Sequence, residues 1–336
     1  TKIDRNMQVI MKYLIVDDEH ELYKNMYAEL FKTNNFHIEE IPRVTPPSFL
    51  KFLYKLHFNL KINRHIFLPF KNIWNKYYTL YSYNFNKDEE YCIIFLNGTL
   101  NLFFSVQKLK SLKDKYPNLH YVLIMYDSIN TMSIKRPLNF IPIMDTIFSF
   151  DEQDCKKYNF ERIYSTFSKP DFVYNDPIKK TNAFFVGYAA GRENLLKKCF
   201  KKMECIDRCK FFIVGTKGKQ EKIKNVQYNQ YIPYKEELQL AYNTNCIVEI
   251  LREGQHGITL RTCEAIAFNK KLLTNNVDIK NMPFYDARYM KIFSNIDSSD
   301  IEFIKKDIQV EYKDTDFFSP LQIIYTLEKI YLNDKI

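Results

Sequence analysis

The sequence predicts an α/β protein made of two doubly wound domains, and three observations carry that prediction. The 336 residues exceed what one ordinary core organises and suit two domains of about 150 residues each. Short apolar runs alternate with stretches in which apolar residues recur every three or four positions, the pattern of strands and helices in parallel sheets. The alternation pauses at a stretch holding Pro170 and Pro177 and then restarts, as expected of two units joined by a linker.

In the first unit, Lys12–Val16 reads as a strand and Glu21–Phe31 as a helix with Leu22, Met26 and Leu30 in register. Phe36–Ile41 reads as a second strand, and Pro46–Leu56 and Pro69–Leu80 as helices. Cys92–Leu96 and Tyr121–Met125 are continuous apolar runs, suited to parallel strands covered on both faces. Between them Asn101–Lys115 reads as a helix, and Asp145–Phe150 as the last strand. Beyond the linker the predicted order is strand Ala183–Val186, helix Glu193–Met203, strand Lys210–Val214, helix Lys235–Tyr242 and strand Cys246–Leu251. Helix Thr259–Phe268, strand Lys271–Thr274 and a final helix Pro320–Tyr331 complete it. The expected organisation is a domain at 11–165, a linker at 166–181, a second domain at 182–318, and a segment 319–336 that could cross back to the first. Residues 1–10 are set aside.

Hydrophobic residues at 46% and charged residues at 26% place the chain among water-soluble globular proteins. The longest apolar runs, such as Phe211-Phe212-Ile213-Val214, fall far short of a bilayer span. Met11–Val16 is short and is followed by Asp17, Asp18 and Glu19, so no signal peptide is expected. The seven cysteines show no framework of pairs, and Cys205 with Cys209 lacks a second pair for zinc. Buried thiols in a reducing cytoplasm are the expectation. The net charge of +9 favours anionic partners.

Only seven glycines occur, and six fall between 187 and 257. They follow predicted strands in pairs: Gly187 and Gly191, Gly215 and Gly218, Gly254 and Gly257. Glycine serves tight turns and close ligand approach, and open α/β sheets bind ligands at the carboxyl ends of their strands. Ordinary turns would also account for any one pair. The densest chemistry lies in Glu249–Ala265, where Arg252, His256, Thr259, Arg261, Thr262 and Glu264 cluster around Gly254 and Gly257. A helix from Thr259 puts Leu260, Cys263, Ile266 and Ala267 on its buried side and Arg261 with Glu264 on the opposite stripe. Arginine and helix amides suit phosphates, and a carboxylate suits ribose hydroxyls. The alternative is a solvated Arg261–Glu264 pair on a capped helix.

At these residues the chain resembles GT-B glycosyltransferases, in particular bacterial enzymes of lipopolysaccharide and capsule synthesis. The resemblance rests on Gly257-Ile-Thr-Leu-Arg-Thr-Cys-Glu264-Ala and the following Lys270–Asn275. It extends to Phe184–Gly187 and to Tyr231-Ile-Pro233-Tyr234-Lys-Glu-Glu237-Leu, with further support at Ser149–Asp154. It implies two Rossmann-like domains facing across a cleft, with the donor held by the second. By resemblance Glu264 would hold the ribose, and Gly257, Thr259 and Thr262 the diphosphate, beside Arg261. The Tyr231–Tyr234 loop would cover the base, and Gly187 and Arg192 would face the phosphates. One departure concerns the paired-glutamate donor motif: His256 stands where its first glutamate is expected, and Glu249 and Glu253 are off register. His256 would then contact the sugar or a phosphate.

Asp127, at the end of Tyr121–Met125, is the first candidate for the base that activates an acceptor hydroxyl, and Asp17 and Asp18 are the second. Asp17 and Asp18 also suit a helix N-terminus. They open a stretch like a response-regulator receiver, but no aspartate lies between Asp18 and Asp88, so the phosphoacceptor is missing. Asp314-Thr-Asp316 matches a metal-binding D-x-D but precedes a helix without a buried strand before it, which suits a loop and cap. No metal or cofactor is expected. The donor is expected to be a UDP-type nucleotide sugar and the acceptor a lipid-linked glycan. Residues 51–78 interleave Lys51, Lys55, Lys61, Arg64, Lys71 and Lys76 with eight aromatics including Trp74. That stretch suits the anionic inner face of a membrane, or core packing; nucleic acid is not the expected partner. The alternatives to a transferase are a sugar-nucleotide epimerase of the same fold and a basic nucleic-acid-binding protein.

Overall fold

The computed structural model describes residues 11–16, 21–44, 46–63, 65–66, 68–102, 104–130, 132, 135–170, 180–253 and 257–332. The chain divides into two compact units, residues 1–164 with 323–336, and residues 165–322. Each is built on a six-stranded sheet, and every strand pair in both sheets is parallel. The fold class is α/β with two Rossmann-like domains.

The first sheet holds β1 (Met11–Val16), β2 (His37–Ile41), β3 (Glu90–Leu96), β4 (Leu119–Met125), β5 (Thr146–Ser149) and β6 (Glu161–Arg162). Its order is β2-β1-β3-β4-β5-β6. The central strands β3 and β4 are buried almost throughout, because a parallel sheet is covered on both faces. Each large apolar side chain so buried contributes about 1.5–3 kcal/mol. The last strand is β6 rather than the expected 145–150 segment, since two residues carry no readable period. The final helix, Leu321–Tyr331, brings Tyr331 to a 2.6 Å hydroxyl contact with Thr146 and Tyr325 against Phe36.

Local structure departs from expectation between β2 and β3. Pro46–Leu56 is a 3-10 turn Ser48–Leu50 running into a helix Lys51–His57. Pro69–Leu80 is not α-helical but two 3-10 segments, Lys71–Tyr77 and Thr79–Ser82. The tighter winding aligns residues three apart, which turns both Lys71 and Trp74 inward. The expected helix 101–115 is divided into Asn97–Leu102 and Val106–Lys115.

The second sheet holds β7 (Thr181–Tyr188), β8 (Cys209–Val214), β9 (Val226–Tyr228), β10 (Thr244–Glu249), β11 (Lys271–Thr274) and β12 (Met290–Ile292). Its order is β12-β11-β10-β7-β8-β9. The chain therefore starts in the middle, winds outward to β9, then returns to the other side of β7 through β10. This is the doubly wound order whose direction reverses between the first and fourth strands, leaving a crevice at their carboxyl ends. Phe167 N–H donates to Phe318 O at 2.7 Å, tying the two ends of this unit together. Lys271, buried, donates from Nζ to the carbonyls of Phe303 (2.7 Å), Ile304 (2.8 Å) and Lys306 at the end of helix Ser298–Lys305. An ammonium there satisfies carbonyls that a helix terminus leaves orphaned.

Candidate functional site

The crevice of the second sheet opens beyond Tyr188 on β7 and Glu249 on β10. Gly187 lies in β7 because its backbone is approached closely: a Cβ there would stand 3.0 Å from both Arg192 Nη2 and Phe185 Cζ. Ala190 and Gly191 take positive φ to make the turn into helix Glu193–Lys202. That turn returns Arg192 across the crevice. Its Nε donates to Tyr188 O at 3.2 Å and its Nη1 to Ile250 O, so one guanidinium joins the ends of β7 and β10. Burial, then the like charge of Arg252, depress its proton affinity.

Glu249, the last residue of β10, is buried and accepts hydroxyl protons from three threonines. Thr259 Oγ1 and Thr262 Oγ1 donate to Oε1 at 2.5 and 2.9 Å, and Thr274 Oγ1 donates to Oε2. Strand register causes the last contact, because Glu249 pairs with Thr274 on β11. Thr259 also caps helix Leu260–Ala267, accepting from Arg261 N–H at 3.1 Å. The hydroxyl protons of Thr259 and Thr262, expected to face a diphosphate, are turned to Glu249 instead. Asn275 clamps Leu251 from the neighbouring strand end, accepting its N–H at 2.6 Å and donating to its carbonyl at 3.2 Å. Asn276 donates to Gly257 O at 2.9 Å, where Gly257 itself has φ +94°. The loop after β10 is thus anchored at both described ends.

Helix Leu260–Ala267 corrects the expected exposure of its charged stripe. Glu264 is wholly buried, because helix Tyr234–Tyr242 lies against that side. Arg261 bridges the two helices, donating from Nη1 to Glu264 Oε2 and from Nη2 to Glu237 Oε1. Glu264 Oε1 has no hydrogen-bond partner. Burial raises the carboxyl's proton affinity and Arg261 opposes the rise. Tyr234 begins its helix, and burial together with Glu264 raises its phenol well above the usual value. Tyr231 projects into solvent, 71% exposed. The switch point therefore brings together Gly187, Arg192, Gly257, Thr259 and Thr262, with Arg261, Glu264 and Tyr234 on the helices flanking β10. His256 lies outside the described residues, as do Gly254, Asp17 and Asp18.

Sequence reasoning left Glu249, Arg252, Asn275 and Asn276 without roles. Their common signal is a polar residue placed directly after an apolar strand, at Val248-Glu249 and Leu273-Thr274-Asn275-Asn276. The loop after β8 is less open to a ligand than its glycines suggest. Asn229 Oδ1 accepts both Gly215 N–H and Thr216 N–H, at 2.9 and 3.0 Å.

In the first unit Asp127 follows β4 and is exposed. Asn97, buried after β3, donates to Asp127 Oδ2 at 2.9 Å and accepts Tyr126 N–H at 3.2 Å. The aspartate is held in place while one oxygen faces water. Asp314 and Asp316 form a loop contact: Asp314 Oδ1 accepts Asp316 N–H at 3.0 Å, and Asp316 pairs with Lys169. Among the described residues no group of three His, Cys, Asp or Glu could hold a metal ion, and no helix is long and apolar enough to cross a membrane. All seven cysteines are free thiols.

Comparison of the sequence with protein families and with curated proteins finds no match. Solved structures are similar in fold. Sucrose-phosphate synthase from Thermosynechococcus elongatus superposes with a TM-score of 0.50 at 11% identity, over 96% of this chain and 98% of its own. UDP-N-acetylglucosamine 2-epimerase from Rickettsia bellii gives 0.49 at 10%, over 97% of each chain. Spinosyn forosaminyltransferase SpnP gives 0.40 at 10%, over 95% of this chain and 99% of its own. At such identities the likeness concerns the fold alone, two Rossmann-like domains of the GT-B kind.

Proposed function

We propose that this chain is a glycosyltransferase that moves a sugar from a nucleotide-sugar donor to a growing surface glycan. The observation that carries the reading is Glu264 Oε1, a buried carboxylate oxygen with no partner, on the helix beside the switch point. An unpaired buried acceptor is costly and calls for a donor, and a ribose hydroxyl is a donor of the right kind. In this reading Arg192 and Arg252 take the diphosphate with the backbone around Gly257, and Tyr231 with Tyr234 border the base. Asp127 takes the proton of the attacking hydroxyl, and the arginines stabilise the departing diphosphate without a metal. The donor is of UDP type, and the acceptor is lipid-linked, as in lipopolysaccharide or capsule assembly at the cytoplasmic face.

The shared fold keeps a sugar-nucleotide epimerase as the second reading. Incubation with nucleotide sugars separates the two. Acceptor-dependent release of nucleoside diphosphate, undiminished by excess EDTA, is the expected result. An altered donor sugar without any acceptor would establish the epimerase. Asp127→Asn should lower turnover by roughly 10²–10⁴-fold while nucleotide affinity stays unchanged. Full turnover in that variant would remove Asp127 from the chemistry.

A further inference from the structure

The first unit carries an apolar surface that its own core does not use. Of the fourteen exposed large apolar side chains among the described residues, seven fall within residues 49–73. The 3-10 turn and helix at Ser48–His57 set Phe49, Phe52, Leu53 and Leu56 at i, i+3, i+4 and i+7, one stripe of a helix. Here that stripe faces water, with Phe49 80% and Phe52 74% exposed. The opposite side already meets the core through Leu50 and Tyr54. Behind it, Trp74 Nε1 donates to His57 Nδ1 at 2.8 Å and Lys71 Nζ donates to His57 O. These contacts fasten the helix to segment Lys71–Tyr77, in which Ile73 is also exposed, as is the preceding Phe70.

The charge along this stretch of chain has one sign. Between Glu40 and Asp88 the chain has no acidic residue and eight basic ones, against a whole-chain net charge of +9. Lys51, Lys55 and Lys76 are exposed. Lys71 is not part of that display: it is buried, and desolvation lowers its pKa to about 8.

We infer that this face docks the protein on an anionic phospholipid bilayer, the Phe49–Leu56 stripe entering the interface and the lysines meeting headgroups. Large apolar side chains flanked by lysines, on a helix lying in the plane of the surface, are what an interfacial helix requires. Lysines are depleted at protein–protein interfaces, and a second copy would set this basic face against itself. Nucleic acid would use the phenylalanines for stacking but has no use for exposed Leu53, Leu56 and Ile73. The inference rests on the surface alone and stands whichever reaction the second unit performs.

The test is co-sedimentation of the full chain with vesicles of equal phosphatidylglycerol and phosphatidylcholine, and with phosphatidylcholine alone. Binding to the mixed vesicles, weakened by salt and by omission of the anionic lipid, is expected. Lys51→Gln, Lys55→Gln and Lys76→Gln together should lower the partition coefficient about a hundredfold, each basic group near such a surface being worth about fivefold. Phe49→Ser, Phe52→Ser and Leu53→Ser together should remove binding. These six side chains point outward, and unchanged Trp74 fluorescence verifies folding; should the apolar triple not fold, the lysine triple still decides. Absence of wild-type binding, or binding indifferent to the lysine changes, overturns the inference. A dimer in light scattering that the apolar triple disperses overturns it too, assigning the face to a second copy.

Discussion

Glu264 and Glu249 are both buried glutamates of the second unit, and their hydrogen bonding sets them apart. Glu249 spends both oxygens on three threonine hydroxyls, which makes it a pin between β10, β11 and the following helix. Glu249→Ala removes the acceptor of all three hydroxyl protons and leaves the Thr262 hydroxyl unpaired in the interior, and hydrogen bonds to a carboxylate are worth about 1.5–3 kcal/mol each. We expect a loss of about 3 kcal/mol or more in denaturant unfolding; a change below 1 kcal/mol would mean the threonines find other acceptors. Glu264 keeps one oxygen unpaired, so Glu264→Ala should weaken nucleoside-diphosphate binding by ~1–3 kcal/mol in calorimetry. Equal affinity in a folded variant would remove it from the donor site. Burial raises its carboxyl above the ordinary 4.5, so the folded chain holds this proton more tightly than the unfolded chain. The stabilisation from that proton is complete below 4.5 and disappears as pH rises through the raised value. Glu264→Gln, which does not titrate, should flatten the decline in unfolding midpoint across that window. An identical pH profile in wild type and variant would contradict the assignment.

At the scale of elements, the site depends on how closely β7 approaches β10. Gly187→Ala would place a methyl 3.0 Å from Arg192 Nη2, tighter than ordinary contact, and push the guanidinium from the Ile250 carbonyl. The expected outcome is weaker nucleotide binding with a small change in melting temperature, read by titration and thermal unfolding. Unaltered affinity would show that Arg192 does not need its clamp. The central strands were legible because buried parallel strands are written as unbroken apolar runs, as in Tyr91–Leu96. Strands β6, β9 and β12, two or three residues long, carry no period to read. The 3-10 winding at Lys71–Tyr77 was missed because Trp74 and Tyr78 also fit a helical stripe. The burial of Glu264 was hidden for a different reason. Reading one apolar face assumes one packing partner, whereas helix Leu260–Ala267 has the sheet on one side and helix Tyr234–Tyr242, with Glu237, on another. The role of Glu249 follows from strand pairing with Thr274, a long-range fact that local spacing does not contain.

Across the whole molecule, the two units repeat one architecture with different surface chemistry. The first holds an exposed aspartate hydrogen-bonded by Asn97 and a basic, exposed apolar stretch; the second holds the glycine turns, Arg192 across the ends of β7 and β10, and the unpaired glutamate oxygen. In the proposed reading an activated nucleotide seats at the carboxyl ends of β7 and β10. Hydrogen-exchange mass spectrometry of the full chain, with and without UDP and with GDP and ADP in parallel, tests it most directly. The expected result is nucleotide-dependent protection of peptides covering Gly187–Arg192 and Gly257–Glu264, with β9 and β12 at the edges of the same sheet unchanged. Protection confined to the first unit, or none at saturating concentrations of all three nucleotides, would contradict it.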